Sequence, residues 1–245
     1  MSRPLLSLVA VCSFLIVSSA WADPVHVACV GDSITYGTGA AKGWDYPSQL
    51  QRMLGPGYEV RNFGVGGATL LRHGTKPYEK QSAFKAALDY KADIAILLLG
   101  ANDTTPHNWA PHGAEFEGDY RWLVGQLQGS NPALKLFVCR PDWVAGAGRY
   151  HINEPVIEQQ IPIIDRVASS MNLSEIDMHA PLEGHPEDFF DTVHPNNAGA
   201  ALMAKAAYKA ITGNDFQGPY VTPPGPTPAP SPAPASPAPS PAEAH

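Results

Sequence analysis

The stretch of sequence that decides the fold reads Ile94-Ala95-Ile96-Leu97-Leu98-Leu99 and is followed by Gly100-Ala101-Asn102-Asp103. Every residue of the first run is apolar, so both faces of a strand built from it would be buried. A strand of this kind is typical of the centre of a parallel sheet that helices cover on both sides. The polar residues that follow would then lie at the carboxyl end of the strand.

Other apolar runs of strand length alternate with helical patterns on either side of this strand. The predicted strands are 25–30, 58–62, 93–99, 134–139 and 173–176. The predicted helices are 46–54, 78–90, 114–127, 154–171 and 197–211, with glycine stops at Gly55 and Gly213. This alternation predicts an α/β fold, a single doubly wound, flavodoxin-like three-layer sandwich whose five-stranded parallel sheet has the order 2-1-3-4-5.

The two ends of the chain differ in composition from its middle. Residues 1–22 combine Arg3, an apolar stretch too short to span a bilayer, and small residues around Trp21. We expect a signal peptide cleaved after Ala22 and a periplasmic or extracellular protein; a weakly cleaved anchor helix is the alternative. Residues 219–245 are rich in Pro, Ala and Ser, and we expect a disordered tail that tethers the protein to a wall or partner, or is a remnant linker. Residues 23–218 are predicted to form one domain.

Charge and cysteine content narrow the possible partners. The formal net charge is −7 at pH 7, and the sequence has no cluster of Lys and Arg residues. Both observations argue against a nucleic-acid partner. We expect no integral membrane segment in the mature domain. Cys29 and Cys139 each lie in an apolar, strand-like run, a position that favours two buried thiols over a disulfide.

Four short islands of sequence carry residues that can take part in a chemical reaction. They read Gly31-Asp32-Ser33-Ile34-Thr35, Asn62-Phe63-Gly64-Val65-Gly66-Gly67, Gly100-Ala101-Asn102-Asp103 and Asp191-Thr192-Val193-His194. The first three come at the ends of predicted strands, so we expect them to converge at the carboxyl edge of the sheet, where α/β proteins bind ligands.

Together the islands supply the groups needed for acyl transfer through a serine. Ser33 is the predicted nucleophile, His194 the base that removes its proton, and Asp191 the acid that orients the histidine. The oxyanion of a tetrahedral intermediate would be bound by the N–H groups of Ser33 and Gly67 and the side chain of Asn102.

Each island also has a simpler structural interpretation. Ser33 suits a helix cap, 62–67 a glycine turn, Asn102 a buried turn, and 191–196 a cap beside a surface histidine. The complete set favours catalysis. Gly64-Val65-Gly66-Gly67 lacks the spacing of a dinucleotide fingerprint. No His, Cys or Glu cluster has the spacing of metal ligands, and we expect neither a metal nor a cofactor.

In order and residue by residue, the islands resemble those of the SGNH (GDSL-type) hydrolases over residues 31–194. The resemblance implies that Ser33 is the nucleophile, that Gly67 and Asn102 complete the oxyanion hole, and that Asp191 and His194 are acid and base. Residues 61–71 and 100–109 look most similar to exported bacterial carbohydrate acetylesterases, for example xylan-type or sialate O-acetylesterases. The implied activity is hydrolysis of a short acyl ester, above all an O-acetyl ester of a glycan, through an acyl-enzyme.

The ester itself is less well defined by the sequence. Trp109 is the predicted substrate-binding residue. Other aromatic residues near the expected rim are Tyr36, Trp44, Tyr46 and Trp143. Each of these rings could either stack on a sugar or pack in the core, and both interpretations are kept. A broad arylesterase or a lysophospholipase/thioesterase-like enzyme is the alternative activity. A non-catalytic glycan-binding module is the alternative of another class. The chain shows no inserted apolar lid, which argues against a long-chain lipase.

Overall fold

The computed structural model describes residues 23–146 and 150–218. The predicted signal peptide (1–22) and tail (219–245) lie outside the described residues. The described strands are β1 (Val25–Gly31), β2 (Tyr58–Gly64), β3 (Ile94–Leu98), β4 (Lys135–Arg140) and β5 (Ser174–Asp177). They form one parallel sheet in the order β2-β1-β3-β4-β5, which confirms the predicted fold class and strand order.

Helices cover both faces of the sheet. They are α1 (Ser33–Tyr36), α2 (Tyr46–Leu54), α3 (Ser82–Tyr90), α4 (Pro106–His112), α5 (Phe116–Ser130), α6 (Glu154–Met171) and α7 (Asn197–Thr212). The bounds of α2 and α6 are those predicted from the sequence, and Gly55 and Gly213 follow the ends of α2 and α7 as expected. Within the part of the chain that the structure describes, no helix is long and apolar enough to cross a membrane.

The central strand β3 is buried along its whole length, and its side chains alternate between two cores. Ile96 and Leu98 pack in the layer that contains the buried residues of α2 and α7. Ala95 and Leu97 pack in the opposite layer, with the buried residues of α3 and α5. A strand with two covered faces must be apolar throughout, which explains the uninterrupted run in the sequence.

Cys29 and Cys139 are both free and buried in the first of these layers, as predicted. Burial raises the pKa of both thiols above the ordinary value. A thiol that stays protonated is a poor nucleophile, so these cysteines contribute packing and not reactivity.

Two predicted helices begin later than expected. The prediction of one helix over 78–90 is wrong, because a 3-10 turn at Tyr78–Lys80 is followed by extended backbone at Gln81 before α3 begins. The buried ring of Tyr78 and its hydroxyl, which donates to the carbonyl of Phe63 at 2.7 Å, hold that turn apart from the helix. The helix expected over 114–127 follows a 3-10 turn at Gly113–Glu115.

Short helices at both sides of the predicted site were not expected from the sequence. Helix α1 has only four residues, and α4 has seven and contains an internal proline. Neither is long enough to show the periodicity on which the sequence prediction depended. Pro106 at the start of α4 is the local signal, since proline is tolerated in a first helical turn.

The end of β2 packs against the start of the site, and this contact generates a prediction. A Cβ at Gly64 would overlap the backbone of α1, with the carbonyl carbon of Thr35 at 2.7 Å. Gly64→Ala is therefore expected to lower the free energy of unfolding by about 1–3 kcal/mol, because backbone must move to admit the methyl group.

The matched control is Gly57→Ala, since a Cβ there meets nothing within 4 Å. Its effect should stay within about 0.5 kcal/mol. Denaturant unfolding of both variants measures the difference, and equal stability of the two would contradict the packing at Gly64.

Candidate active site

Ser33 begins α1 directly after β1, and the preceding residue caps the helix. The carboxylate of Asp32 accepts a hydrogen bond from the N–H of Ile34 at 2.9 Å. The helix-cap interpretation of this island is therefore correct for Asp32, and it leaves the Ser33 hydroxyl available. Ser33 is buried, with 7% of its surface exposed.

The hydroxyl of Ser33 contacts a histidine from the far end of the domain. Ser33 Oγ lies 3.0 Å from Nε2 of His194, which is 161 residues away in the chain. The loop that carries the histidine folds back on itself, since Phe190 N–H donates to the His194 carbonyl at 2.8 Å. His194 is not the surface histidine of the simpler interpretation, because only 5% of its surface is exposed.

Asp191 orients the histidine ring. Its Oδ2 lies 2.9 Å from His194 Nδ1, and its Oδ1 accepts the backbone N–H groups of Val193 and His194, both at 2.8 Å. Partial burial would raise the pKa of Asp191, but the hydrogen bonds from the His194 ring and from these N–H groups outweigh it and lower the pKa to about 2. An ionised Asp191 favours a proton on Nδ1, which leaves Nε2 to accept the proton of Ser33.

Asn102 lies between the loops that follow β1 and β2. Its side-chain amide donates to the carbonyl of Ala68 at 3.0 Å and to Oδ2 of Asp32 at 3.2 Å. Ala68 is the neighbour of Gly67, and Asp32 is the neighbour of Ser33, so the structure brings the three predicted oxyanion residues to one place. Asn102 is held in a turn, as its simpler interpretation states.

Gly67 presents backbone to an open surface. It has a φ of 75°, in the region that favours glycine, and a Cβ there would meet only the side chain of Lys76 at 3.8 Å. Among the described residues, no acceptor binds the N–H of Gly67. A free N–H on the loop after β2 is available as an oxyanion donor.

Three buried carboxyl groups surround the site and were not assigned from the sequence. They belong to Asp32, Asp103 and Asp142. Burial raises the pKa of Asp32 to about 6 and that of Asp103 to about 7, and it raises the pKa of Asp142 well above the ordinary value. Within residues 23–146 and 150–218, neither carboxyl oxygen of Asp142 has a hydrogen-bond partner.

Asp103 has a clear positioning function. Its two oxygens accept the N–H groups of Leu70 at 2.9 Å and Leu71 at 2.7 Å. These residues lie in the loop that follows Gly67, so the turn after β3 fixes the loop after β2. The Asn-Asp pair in the sequence was a signal for this residue, but the backbone N–H groups that donate to it could not be predicted from the pattern.

A cavity of about 510 Å³ lies between the start of α4 and the connection from β4 to α6. Its lining is formed by Pro106, Gly146, His151, Ile152, Asn153, Glu154 and Pro155. The neighbouring Tyr150 packs edge-on against the ring of His194, with the ring centroids 5.2 Å apart. Tyr150 therefore joins the cavity wall to the predicted base. No sequence signal distinguished it.

The aromatic residues singled out from the sequence have different placements. Trp109 is partly buried, and its ring packs edge-on against Phe116 at 5.5 Å, so its predicted binding of substrate stays a prediction. Tyr46 is a core residue whose hydroxyl lies 3.2 Å from that of Thr35. Tyr36 is 65% exposed next to the site.

Comparisons with known proteins identify the family of the chain. Residues 29–202 match the model of the GDSL-like lipase/acylhydrolase family, which covers all four islands. A curated relative, an acetylxylan esterase of Xylanibacter ruminicola, is 37% identical over 211 residues; the match covers 77% of this chain and 43% of the relative. The chain thus spans less than half the length of that relative.

Solved structures share the fold at lower identity. The acetyl xylan esterase AlAXEase is 25% identical with a TM-score of 0.59, and the match covers 76% of this chain and 100% of the other. The aryl esterase of M. smegmatis is 20% identical with a TM-score of 0.64, covering 78% of this chain and 99% of the other. The second likeness concerns the fold alone. With the family model matching most of the chain, the resemblance found in the sequence is confirmed, and the chain belongs to the GDSL-like lipase/acylhydrolase family of ester hydrolases.

Proposed function

We propose that this protein is a serine esterase that removes short acyl groups, above all acetyl, from a carbohydrate. The observation that carries the proposal is the continuous contact from Ser33 Oγ through His194 to Asp191, at 3.0 and 2.9 Å. A binding protein has no need of a buried hydroxyl, base and acid in this order.

In the proposed reaction, Ser33 Oγ attacks the ester carbonyl while His194 Nε2 takes the hydroxyl proton. The protonated imidazole passes that proton to the departing alcohol of the sugar as the carbon–oxygen ester bond breaks. The acyl group is then bound to Ser33. Water, deprotonated by His194, releases it as the carboxylic acid and restores the hydroxyl.

The N–H groups of Ser33 and Gly67 are the proposed donors to the oxyanion, with the Asn102 side chain as the third. Asn102 already donates to the Ala68 carbonyl and to Asp32. Its contact with Asp32 is the longer of the two, so we propose that the oxyanion replaces Asp32 as the acceptor when charge develops on it. An interaction gained mainly in the transition state accelerates the chemical step.

The proposed substrate class depends on the curated relative, whose printed name is acetylxylan esterase. The solved relatives include both an acetyl xylan esterase and an aryl esterase, so the shared fold does not choose between these esters. The cavity beside Tyr150 is the proposed subsite for the part of the substrate next to the ester. Its lining is mostly apolar, which suits the C–H face of a sugar ring.

Replacement of the predicted nucleophile tests the mechanism. Ser33→Ala should lower kcat on nitrophenyl acetate about 10⁴-fold or more and abolish labelling by a fluorophosphonate, because it removes the hydroxyl that contacts Nε2 of His194. Ser130→Ala is the control, since that serine ends α5, before β4, at the opposite edge of the sheet.

A folded Ser33→Ala protein with near-normal esterase activity would disprove the mechanism. A wild-type protein that neither reacts with the probe nor hydrolyses esters, yet binds glycans, would favour the non-catalytic binding module.

Asp191→Asn tests the orientation of the histidine. The amide presents a donor or a neutral acceptor to Nδ1 in place of the carboxylate, so we expect a loss in kcat of about 10⁴-fold with the fold retained. Asp188→Asn, in the same loop, is the control and should keep its activity.

Because the pKa of Asp191 is about 2, this group stays ionised from about pH 4 upward. The stability it contributes is present above its unfolded pKa, near 3.9, and is lost as pH falls towards 2. Any fall in wild-type kcat/KM between about pH 8 and 5 must therefore come from a group other than Asp191. Normal turnover in Asp191→Asn would refute the assignment.

Acyl chain length separates the proposed activity from its main alternative. Each extra methylene that a closed acetyl pocket cannot hold costs about 1–3 kcal/mol, so kcat/KM should fall about tenfold or more from acetate to butyrate and further to octanoate. An open apolar groove would reverse the trend, because burying a CH₂ gains about 0.8 kcal/mol.

Nitrophenyl esters of increasing length measure the trend, and acetylated xylan oligosaccharides measure it on the proposed natural class. A higher kcat/KM on octanoate than on acetate would favour the lysophospholipase/thioesterase-like alternative. Fast hydrolysis of aryl acetates with none of acetylated oligosaccharides would favour the arylesterase.

A further inference from the structure

We propose that His73, His112 and Glu115 form a binding site for one divalent transition-metal ion, of the zinc or cobalt type. The three side chains come from two segments: His73 from the loop after β2, and the other two from the junction of α4 and α5. Their ligand atoms all lie within 4.8 Å of one another. None of the three belongs to the triad or the oxyanion donors.

The contacts within the group are unusually convergent. One oxygen of Glu115 lies 2.6 Å from Nδ1 of His73, and the other lies 3.1 Å from Nδ1 of His112. The two imidazole rings are 5.6 Å apart between centroids. Among the described residues this is the only group of three or more potential ligands so close together. The other ion pairs of histidine there involve one imidazole each.

The donor set matches the chemistry of such ions. Two imidazole nitrogens and one carboxylate oxygen are ligands that zinc and its neighbours accept, at about 2.0–2.2 Å. Tetrahedral ligands at that distance are about 3.3 Å from one another, close to the contacts around Glu115. Both Nδ1 atoms face the carboxylate, so each must carry a proton there; a metal ion would take the place of these protons.

The exposure of the group favours adjustment to an ion and leaves room for water. The side chains of His73, His112 and Glu115 are 69%, 31% and 39% exposed. Exposed side chains shift at low cost, because they do not disturb a packed core. A fourth position would remain open to solvent, as in sites with three protein ligands.

The position of the group indicates a structural effect. The same loop is already tied to the α4–α5 region, since Arg72 N–H donates to Asp119 and Thr75 N–H donates to Asn108, both at 2.9 Å. A metal ion joining His73 to His112 and Glu115 would clamp the loop that continues from Gly67. We therefore expect binding to stabilise the fold, with the chemistry left to the triad.

Equilibrium dialysis and calorimetry with zinc, on untagged full-length protein treated with a chelator, test the site. We expect one ion to bind at this site and to raise Tm, and cobalt to give the visible absorption of a four-coordinate ion. His73→Ala and His112→Ala should each weaken binding at least about tenfold and remove the rise in Tm. Glu115→Gln keeps the shape of the side chain and should weaken binding as well.

His185→Ala is the matched control. His185 is an exposed histidine that lies 3.1 Å from a single carboxylate, that of Glu187, so its loss should leave zinc binding unchanged. Zinc that binds His194 instead would persist in His73→Ala and would count against the proposal. Binding that is equal in wild type, His73→Ala and His112→Ala, or absent at micromolar zinc, would overturn it. These readouts do not depend on esterase activity.

Discussion

Gly31, the last residue of β1, pairs with Gly64 of β2 on one side and with Leu98 of β3 on the other. A Cβ on Gly31 would overlap the side chain of Thr35 in α1 and would lie 2.5 Å from the carbonyl oxygen of Leu98 in β3. Each strand then turns into a loop that carries one predicted catalytic group: Ser33, Gly67 and Asn102. The register of the strands therefore sets where the three loops begin, and the glycines at the ends of β1 and β2 let α1 pack against the sheet.

Polar contacts then refine a geometry that the backbone has set. The carboxylate of Asp32 accepts hydrogen bonds from α1 and from the Asn102 side chain. The carboxylate of Asp103 accepts two from the loop after Gly67. Burial raises the pKa of both carboxyl groups, to about 6 and about 7. For an acid with a raised pKa, the native state binds more protons than the unfolded state, so ionisation near neutral pH costs stability. We infer that Asp32 and Asp103 position the loops of the site, whereas Asp191, with its lowered pKa, stabilises the fold above about pH 4.

The sequence was sufficient for features that depend on short segments. The strand order followed from the alternation of apolar runs, and the contact of Ser33 with His194 followed from matching motifs. It was insufficient where distant segments meet: Tyr150 reaches His194 across the end of the sheet, and His73 reaches His112 and Glu115 over a long loop. Neither contact has a periodicity or a spacing that a single sequence displays. The helix predicted over 78–90 failed for a similar reason, because the Tyr78 hydroxyl binds a carbonyl of β2.

In the proposed mechanism, one half of the site is already assembled and the other half must rearrange. Ser33, His194 and Asp191 are already in hydrogen-bond contact, so proton transfer needs little movement. Asn102 donates instead to Asp32 and Ala68, and its amide has two N–H groups to give. To donate to an oxyanion, Asn102 must give up its hydrogen bond to one of these acceptors. A developing negative charge is a stronger acceptor than a neutral ester carbonyl, so it favours this exchange more. The buried carboxylate of Asp32 would thus compete with the ester carbonyl for the Asn102 amide in the ground state. As the transition state forms, Asn102 would exchange Asp32 for the oxyanion.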